Sequence, residues 1–292
     1  MTASGSSSSY VLGSHERERD RLQRQHAIWR DDCISAWQQA GWGASQRLLD
    51  LGCGPGFASL DLAERVGPTG SVLAIDNASA YLEHLQAQAR QGNLQQLHTL
   101  ALDLNQASGV EDAFEAPAAH GLVEGQWDGA WCRWVAMFLN DLNPLLDLIT
   151  RALRPGGTLI LHEYGQWDTF ALYPRGAGLD RFVCRCIQHW RDHGGDPHVA
   201  QRLPALLEAR GLRLKHCRSL MACSPSDAPK AQWLQDFLGS YPDQLAAAGL
   251  WSPGDQEELD ADLSHAMGHC SVWVTPALME MVWEKPCISS KP

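Results

Sequence analysis

Gly52, Gly54 and Gly56 occupy alternate positions directly after the apolar run Leu48-Leu49-Asp50-Leu51, and residues 57–66 then continue with helical spacing. A strand that stops, turns on glycines and feeds a helix lays bare backbone and a helix N-terminus against a ligand. Asp76 lies twenty residues after Gly56, at the end of a second apolar run that begins at Ser71. In a doubly wound sheet that position borders the first turn, and a carboxylate there accepts both hydroxyls of a ribose. The chemistry these residues suit is nucleoside binding. A phosphate-binding loop needs GK[ST] after its glycines, where Phe57-Ala58-Ser59 stands. A dinucleotide fingerprint needs a third glycine where Phe57 sits, and Gly56 comes too early for it.

Such residues need a frame. Strand-like runs at 71–76, 97–102, 127–132 and 158–163 alternate with helix-like stretches at 57–66, 78–90 and 142–153. This alternation predicts an α/β fold, doubly wound about a mostly parallel sheet. Ahead of the first strand, Ser14 caps a leader helix whose apolar residues Leu22, Ile28, Trp29, Cys33, Ile34 and Trp37 fall at helical spacing. Residues 1–13 are expected to be flexible, and 14–292 to form a single domain with the leader helix over 14–43. Beyond the fifth strand the pattern loosens into helical insertions at 168–198 and 227–269, with strands expected at 212–221 and 271–284. Pro276 predicts that the last strand sits near an edge or carries a bulge.

Composition bounds the function. With 292 residues, 45% hydrophobic and 20% charged, the chain has the make-up of a water-soluble globular protein. A net charge of −11 argues against nucleic-acid binding, which is carried by basic surfaces. The Ser-rich start has no signal-peptide pattern, and no stretch approaches the roughly 20 apolar residues of a membrane span. The nine cysteines form no CxxC pair, which points to reduced thiols and a cytoplasmic setting.

Leu49-Asp50-Leu51-Gly52-Cys53-Gly54-Pro55-Gly56 resembles motif I of the class I S-adenosylmethionine-dependent methyltransferases. The stretch from Gly67 to Asp76, the acid in Leu102-Asp103-Leu104, Trp127-Asp128-Gly129-Ala130 and Leu153-Arg154-Pro155-Gly156-Gly157-Thr158 resemble, in order, the later motifs of that family. Tyr10-Val11-Leu12-Gly13, Arg21-Leu22-Gln23-Arg24-Gln25, Glu163-Tyr164 and Gly195-Asp196-Pro197 are similar to its UbiE/type-11-like branch. The resemblance implies a seven-stranded Rossmann-like sheet, with the insertions forming a lid, and S-adenosyl-L-methionine as cofactor. It implies cofactor contacts from Gly52, Cys53, Gly54 and Gly56 in the turn, and from Asp76 and Asn77 at the ribose. Asp103 and Leu104 would meet the adenine, Cys132 and Arg133 the methionine portion, and Tyr10 and Gln25 would fold over from the leader.

The reaction implied is methyl transfer by in-line displacement to a small-molecule acceptor, with a peptide or protein side chain as the alternative. Glu163, Tyr164 and His162, at the fifth strand's end, are the candidate catalytic groups, and strand alternation allows only some of them to face a ligand. Two of them have an ordinary structural use too: Glu163 as a cap or an arginine partner, His162 as a core histidine. Trp134 and Trp167 flank the same rim and are candidates to wall an aromatic acceptor. His189, His193 and His198 have metal-like spacing but lack the HExxH glutamate, and no metal is expected. A nicotinamide-dependent oxidoreductase and a non-catalytic S-adenosylmethionine-binding protein are the readings from other classes.

Overall fold

The structure, a computed structural model, describes residues 16–117 and 121–287. Tyr10 and the flexible segment expected over 1–13 lie outside the described residues. In chain order the first half runs α1 (Glu16–Gln39), β1 (Arg47–Leu51), α2 (Phe57–Val66), β2 (Ser71–Asp76), α3 (Ser79–Gln91), β3 (Leu97–Ala101), α4 (Ala107–Glu115) and β4 (Trp127–Arg133). It continues with α5 (Asn143–Ala152), β5 (Leu153–Gln166), β6 (Ala171–Tyr173), α6 (Ala177–Asp192), α7 (Leu203–Glu208), β7 (Arg213–Ser219) and β8 (Cys223–Pro225). Three helices, α8 (Pro229–Leu238), α9 (Tyr241–Ala247) and α10 (Pro253–Met267), precede β9 (Val272–Val274) and β10 (Ala277–Glu284).

The main sheet has seven strands in the order β3-β2-β1-β4-β5-β10-β7. β1 to β5 pair in parallel, and β10 runs antiparallel to both β5 and β7. Strands buried on both faces read as continuous apolar runs, and each face gathers alternate residues. Leu49, Leu51, Leu73, Ile75, Cys132 and Leu161 enter the larger core cluster. Leu48, Val72, Ala74, Trp131 and Ile160 enter a second cluster with Cys33, Ala36 and Trp37 of α1. The chain leaves β1 toward β2 and β3, then returns to lay β4 on its other side. That reversal opens a crevice at the carboxyl ends of β1 and β4, where open α/β sheets bind ligands.

The strand expected at 271–284 is in fact two. Pro276 has no N–H for a ladder, and the chain breaks there: β9 joins a separate three-stranded sheet with β6 and β8, while β10 enters the main sheet. β10 lies between β5 and β7 rather than at an edge, because the proline falls just outside it, and the alternative holds: its register against β5 shifts between Ala277 and Leu278. The two insertions pack on each other. Asp262 of α10 accepts from the backbone N–H groups of Gly178 and Leu179 at the start of α6, and Arg181 pairs with Asp255 and Glu258. The second insertion also meets the leader: Lys230 pairs with Asp32, and Trp233 Nε1 donates to Gln25 Oε1 at 2.9 Å.

Candidate functional site

A cavity of about 390 Å³ opens at the carboxyl ends of β1 to β4. Asp76, the last residue of β2, receives the Gly54 N–H on Oδ2 at 2.8 Å and the Ala78 N–H on Oδ1 at 2.9 Å. The carboxylate is thereby fixed in orientation, and each oxygen keeps a lone pair for a ligand. Burial pushes its pKa up, against the opposing pull of those amides. Asp103, just past β3, is held by the Asn105 N–H at 2.9 Å and by Gln106 Nε2 at 3.0 Å. Gln25, Gly52, Cys53, Gly54, Asp76, Asn77, Asp103, Leu104 and Arg133 all line this one cavity.

Two residues expected there do not line it. Gly56 (φ 86°) begins α2, and a Cβ on it would strike the Leu85 side chain of α3. Its glycine is set by helix–helix contact, whereas a Cβ on Gly54 (φ 53°) would meet no atom within 4 Å. Gly54 is thus the open floor of the cavity. Cys132 is wholly buried beneath it, with its Sγ 4.0 Å from Glu163 Oε1, and burial raises its thiol pKa far above the usual range.

Asp50 was not expected to face the ligand, yet it lines the cavity at 2% exposure. Ser59 Oγ donates to it at 2.5 Å, and burial pushes its pKa up to about 6. The signal lay inside motif I, in an acid set within an otherwise apolar strand. Phe57, Tyr81, Phe138 and His193 also line the cavity and carried no comparable signal. His193 Nδ1 lies 2.7 Å from the His189 carbonyl oxygen, so that nitrogen donates there and Nε2 is the ring nitrogen left for a ligand. The metal-like histidines are separately engaged: His189 Nδ1 with Tyr241 Oη at 2.7 Å, and His198 Nδ1 with the Trp167 N–H at 3.3 Å.

Arg133 anchors the rim. Its guanidinium reaches Cys33 Sγ at 2.9 Å and His26 Nδ1 at 3.1 Å, and His26 Nε2 meets Asp61 at 3.0 Å. Burial lowers the His26 pKa, which suits a neutral ring accepting on Nδ1 and donating from Nε2. The chain of contacts ties α1 and α2 to the end of β4.

The three residues expected to be catalytic part company. His162 shares a face of the sheet with Trp131, is fully buried, and bonds Glu280 at 2.9 Å; burial lowers its pKa. It lines neither of the two cavities described here. Glu163, also fully buried, accepts the N–H groups of Val135 and Ala136 on Oε1 at 2.8 and 2.9 Å. Burial pushes its pKa up to about 7. It holds the loop after β4, in which Trp134 adopts φ 55°, and does not face a ligand. Its part is to position that loop, so the geometry corrects the expectation for both residues. Tyr164 alone reaches a cavity, a second one of about 60 Å³. Burial raises its pKa, which keeps the phenol protonated. Leu22, Gln25, Trp134 and Phe138 line both cavities and join them.

A parallel sheet with a glycine turn, an acid ending β2 and a ligand-sized cavity at the switch point defines a nucleoside-binding protein of the Rossmann-like class. Residues 43–193 match the family described as a methyltransferase domain, and the chain belongs to that family, in its class I, UbiE-like form. It is similar to 2-phytyl-1,4-naphtoquinone methyltransferase of Nostoc sp., at 39% identity over 144 residues, 48% of this chain and 55% of that protein. Methyltransferase str2 of Strobilurus tenacellus is 24% identical over 68% of this chain and 65% of its own. The matched stretches cover from 33% to 68% of the lengths of such curated relatives. The fold matches geranyl diphosphate C-methyltransferase from Streptomyces coelicolor A3(2), with a TM-score of 0.56 at 14% identity over 94% of this chain and 87% of that one. It equally matches the [4+2]-cyclase SpnF, with a TM-score of 0.53 at 16% identity over 96% and 86%. The fold therefore does not fix the reaction.

Proposed function

We propose that this chain transfers a methyl group from S-adenosyl-L-methionine to a small organic molecule. The observation that carries the proposal is the convergence of Asp76, Gly54, Asp103 and Asp50 on one cavity of about 390 Å³. The donor set suits the cofactor group by group. Asp76 offers acceptor lone pairs to a ribose diol, and Asp103 one to an adenine amino group. The bare Gly54 backbone lets the ligand approach, and the ionised Asp50 complements an α-ammonium. The bound cofactor would supply an electrophilic methyl group on a sulfonium.

The chain's own residues do the rest. Arg133, held by His26 and Cys33, fixes the rim at the end of β4. Glu163 fixes the loop that carries Trp134 and Val135, and His193 presents its ring at the cavity wall. Positioning and exclusion of water are the main contributions expected for such a displacement. The leader α1 and both insertions contribute to the cavity walls and act as a lid, which favours a small acceptor over a protein chain. Among the described residues no helix is long and apolar enough to cross a membrane. The nine cysteines are all unpaired, which supports a cytoplasmic setting.

The test is incubation with methyl-labelled S-adenosylmethionine and separate pools of small organic acceptors and of peptides. Label in the small-molecule fraction supports the proposal. Label confined to peptide contradicts it.

A further inference from the structure

We infer that His26 is a positioning residue for the site: oriented by Asp61, its bare ring nitrogen holds the Arg133 guanidinium and with it the first half of α1, and a proton on that nitrogen releases this half-helix from the two cavities. The inference concerns access to the site and holds for any acceptor.

α1 changes character at His26. Beyond it Trp29, Cys33, Ala36 and Trp37 are buried, and the last three share a core cluster with Trp131 and Ile160 of the sheet. Before it Arg21 alone is buried, yet this half carries Leu22 and Gln25, which line both cavities. Its reach to other elements includes Gln25 with Trp233 and the exposed pair of Arg24 with Asp236. A segment with so few buried contacts opens at lower cost than the core beside it.

His26 stands at the boundary, 7% exposed, with its ring stacked on Phe57 at 6.1 Å and 28°. Phe57 and Arg133 both line the larger cavity. Arg133 Nη2 donates to His26 Nδ1 at 3.1 Å. A guanidinium has no lone pair to give, so Nδ1 is the acceptor and the ring is neutral. Its one proton sits on Nε2 and is donated to Asp61 Oδ2 at 3.0 Å, a carboxylate also held by Arg30. The other arm of Arg133, Nη1, donates to Cys33 Sγ at 2.9 Å, and the guanidinium lies 5.0 Å from the centre of the Trp134 ring. Asp61 thus sets the tautomer of His26, and the tautomer sets Arg133.

A histidine that only filled space would be indifferent to which nitrogen is bare. Here a proton on Nδ1 sets two cations face to face at 3.1 Å, with Asp61 on the far side of the ring. The charged groups facing the ring are Asp61 from α2, Arg133 from β4 and Arg30 from α1 itself. Burial is the main cause that lowers its pKa; Arg133 and Arg30 add to it and Asp61 opposes. The sign follows. With the half-helix open, the ring titrates near the ordinary 6.5; with it closed, the ring takes a proton less readily. Closure is therefore full above about 6.5 and weakens as pH falls toward the lowered value, by at most about tenfold per pH unit.

The test is hydrogen exchange of the full, ligand-free chain between about pH 7.5 and about pH 5, corrected for the intrinsic pH dependence of exchange. Protection of residues 20–25 should fall about fivefold, while that of residues 29–37 changes by less than about twofold. His26→Gln, whose amide accepts from Arg133 and donates to Asp61 without titrating, should keep residues 20–25 equally protected at both ends of the range. In the wild type the His26 ring, followed by NMR, should titrate below 6.5 with the same midpoint as the exchange change. Wild-type protection that does not fall overturns the inference, as does a fall that persists in His26→Gln. A His26 midpoint distinct from that of exchange also overturns it, and this decides the matter should His26→Gln fail to fold. Failure of the chain to bind S-adenosylhomocysteine overturns the cofactor reading alone, a separate outcome.

Discussion

The two joined cavities are built by opposite means. The larger one is made by a few residues close together in sequence, where backbone and fixed carboxylates do the binding: Gly54 as open floor, with Asp76 locked by two amide N–H groups. The smaller one is made by bulky rings brought from residues 134 to 237, with Leu22 and Gln25 of the leader closing its side. Glu163 stands between them, because the loop it holds contributes Trp134 to both.

If that division holds, damage to the larger cavity should remove cofactor binding and leave the smaller cavity intact. Asp76→Ala deletes two charge-assisted contacts to a diol. It should cost roughly 4 kcal/mol, close to a thousandfold in S-adenosylhomocysteine affinity by calorimetry. Glu163→Ala should harm both sites, since it leaves the buried N–H groups of Val135 and Ala136 unpaired. About 3 kcal/mol of stability should be lost in denaturant unfolding, most of it recovered in Glu163→Gln, whose amide oxygen still accepts.

Glu163 also sets a pH dependence. Its folded pKa of about 7 lies above the ordinary 4.5, so the folded chain holds a proton that the unfolded chain releases. Its contribution to stability is therefore full below about 4.5 and is lost as pH rises through 7, by on the order of 3 kcal/mol. Glu163→Gln should flatten that part of the stability–pH curve.

Smaller effects separate the glycines. Gly56→Ala meets Leu85 as well as left-handed strain and should cost about 2 kcal/mol of stability. Gly54→Ala has the strain alone and should cost about 1 kcal/mol, yet it should weaken cofactor binding more. The Asp50 effect is of similar size, about 1.4 kcal/mol, and is read through pH. With its pKa at about 6, S-adenosylhomocysteine affinity should rise about tenfold from pH 5 to 7, and Asp50→Asn should remove that rise.

The same contrast explains what the sequence revealed. α2 and β2 fall where glycines and apolar runs place them, because a tight turn leaves local marks. Part of the lining of the larger cavity was legible for the same reason; Asp50, Phe57, Tyr81, Phe138 and His193 were missed, and Gly56 and Cys132 were placed there wrongly. At those last two, packing against Leu85 and Glu163 imposes the same residue types that ligand contact would. β6, β8 and β9 are three-residue strands, too short for any period to register, and α4 went unread. At β5 the alternation of side chains correctly warned that His162 and Glu163 face opposite ways. It could not say that the loop after β4 would bury Glu163. The aromatic cavity was barely visible, through Trp134 and Trp167 alone, because nothing local to Trp190, Trp233 or Phe237 marks them as neighbours.

The central claim is that the larger cavity is an S-adenosylmethionine site. Isothermal calorimetry of the full chain with S-adenosylhomocysteine, and in parallel with NADH, tests it most directly. One equivalent of S-adenosylhomocysteine binding to the wild type, much weakened in Asp76→Ala, with no heat from NADH, is the result expected. Binding of NADH, or S-adenosylhomocysteine binding indifferent to Asp76→Ala, would contradict it.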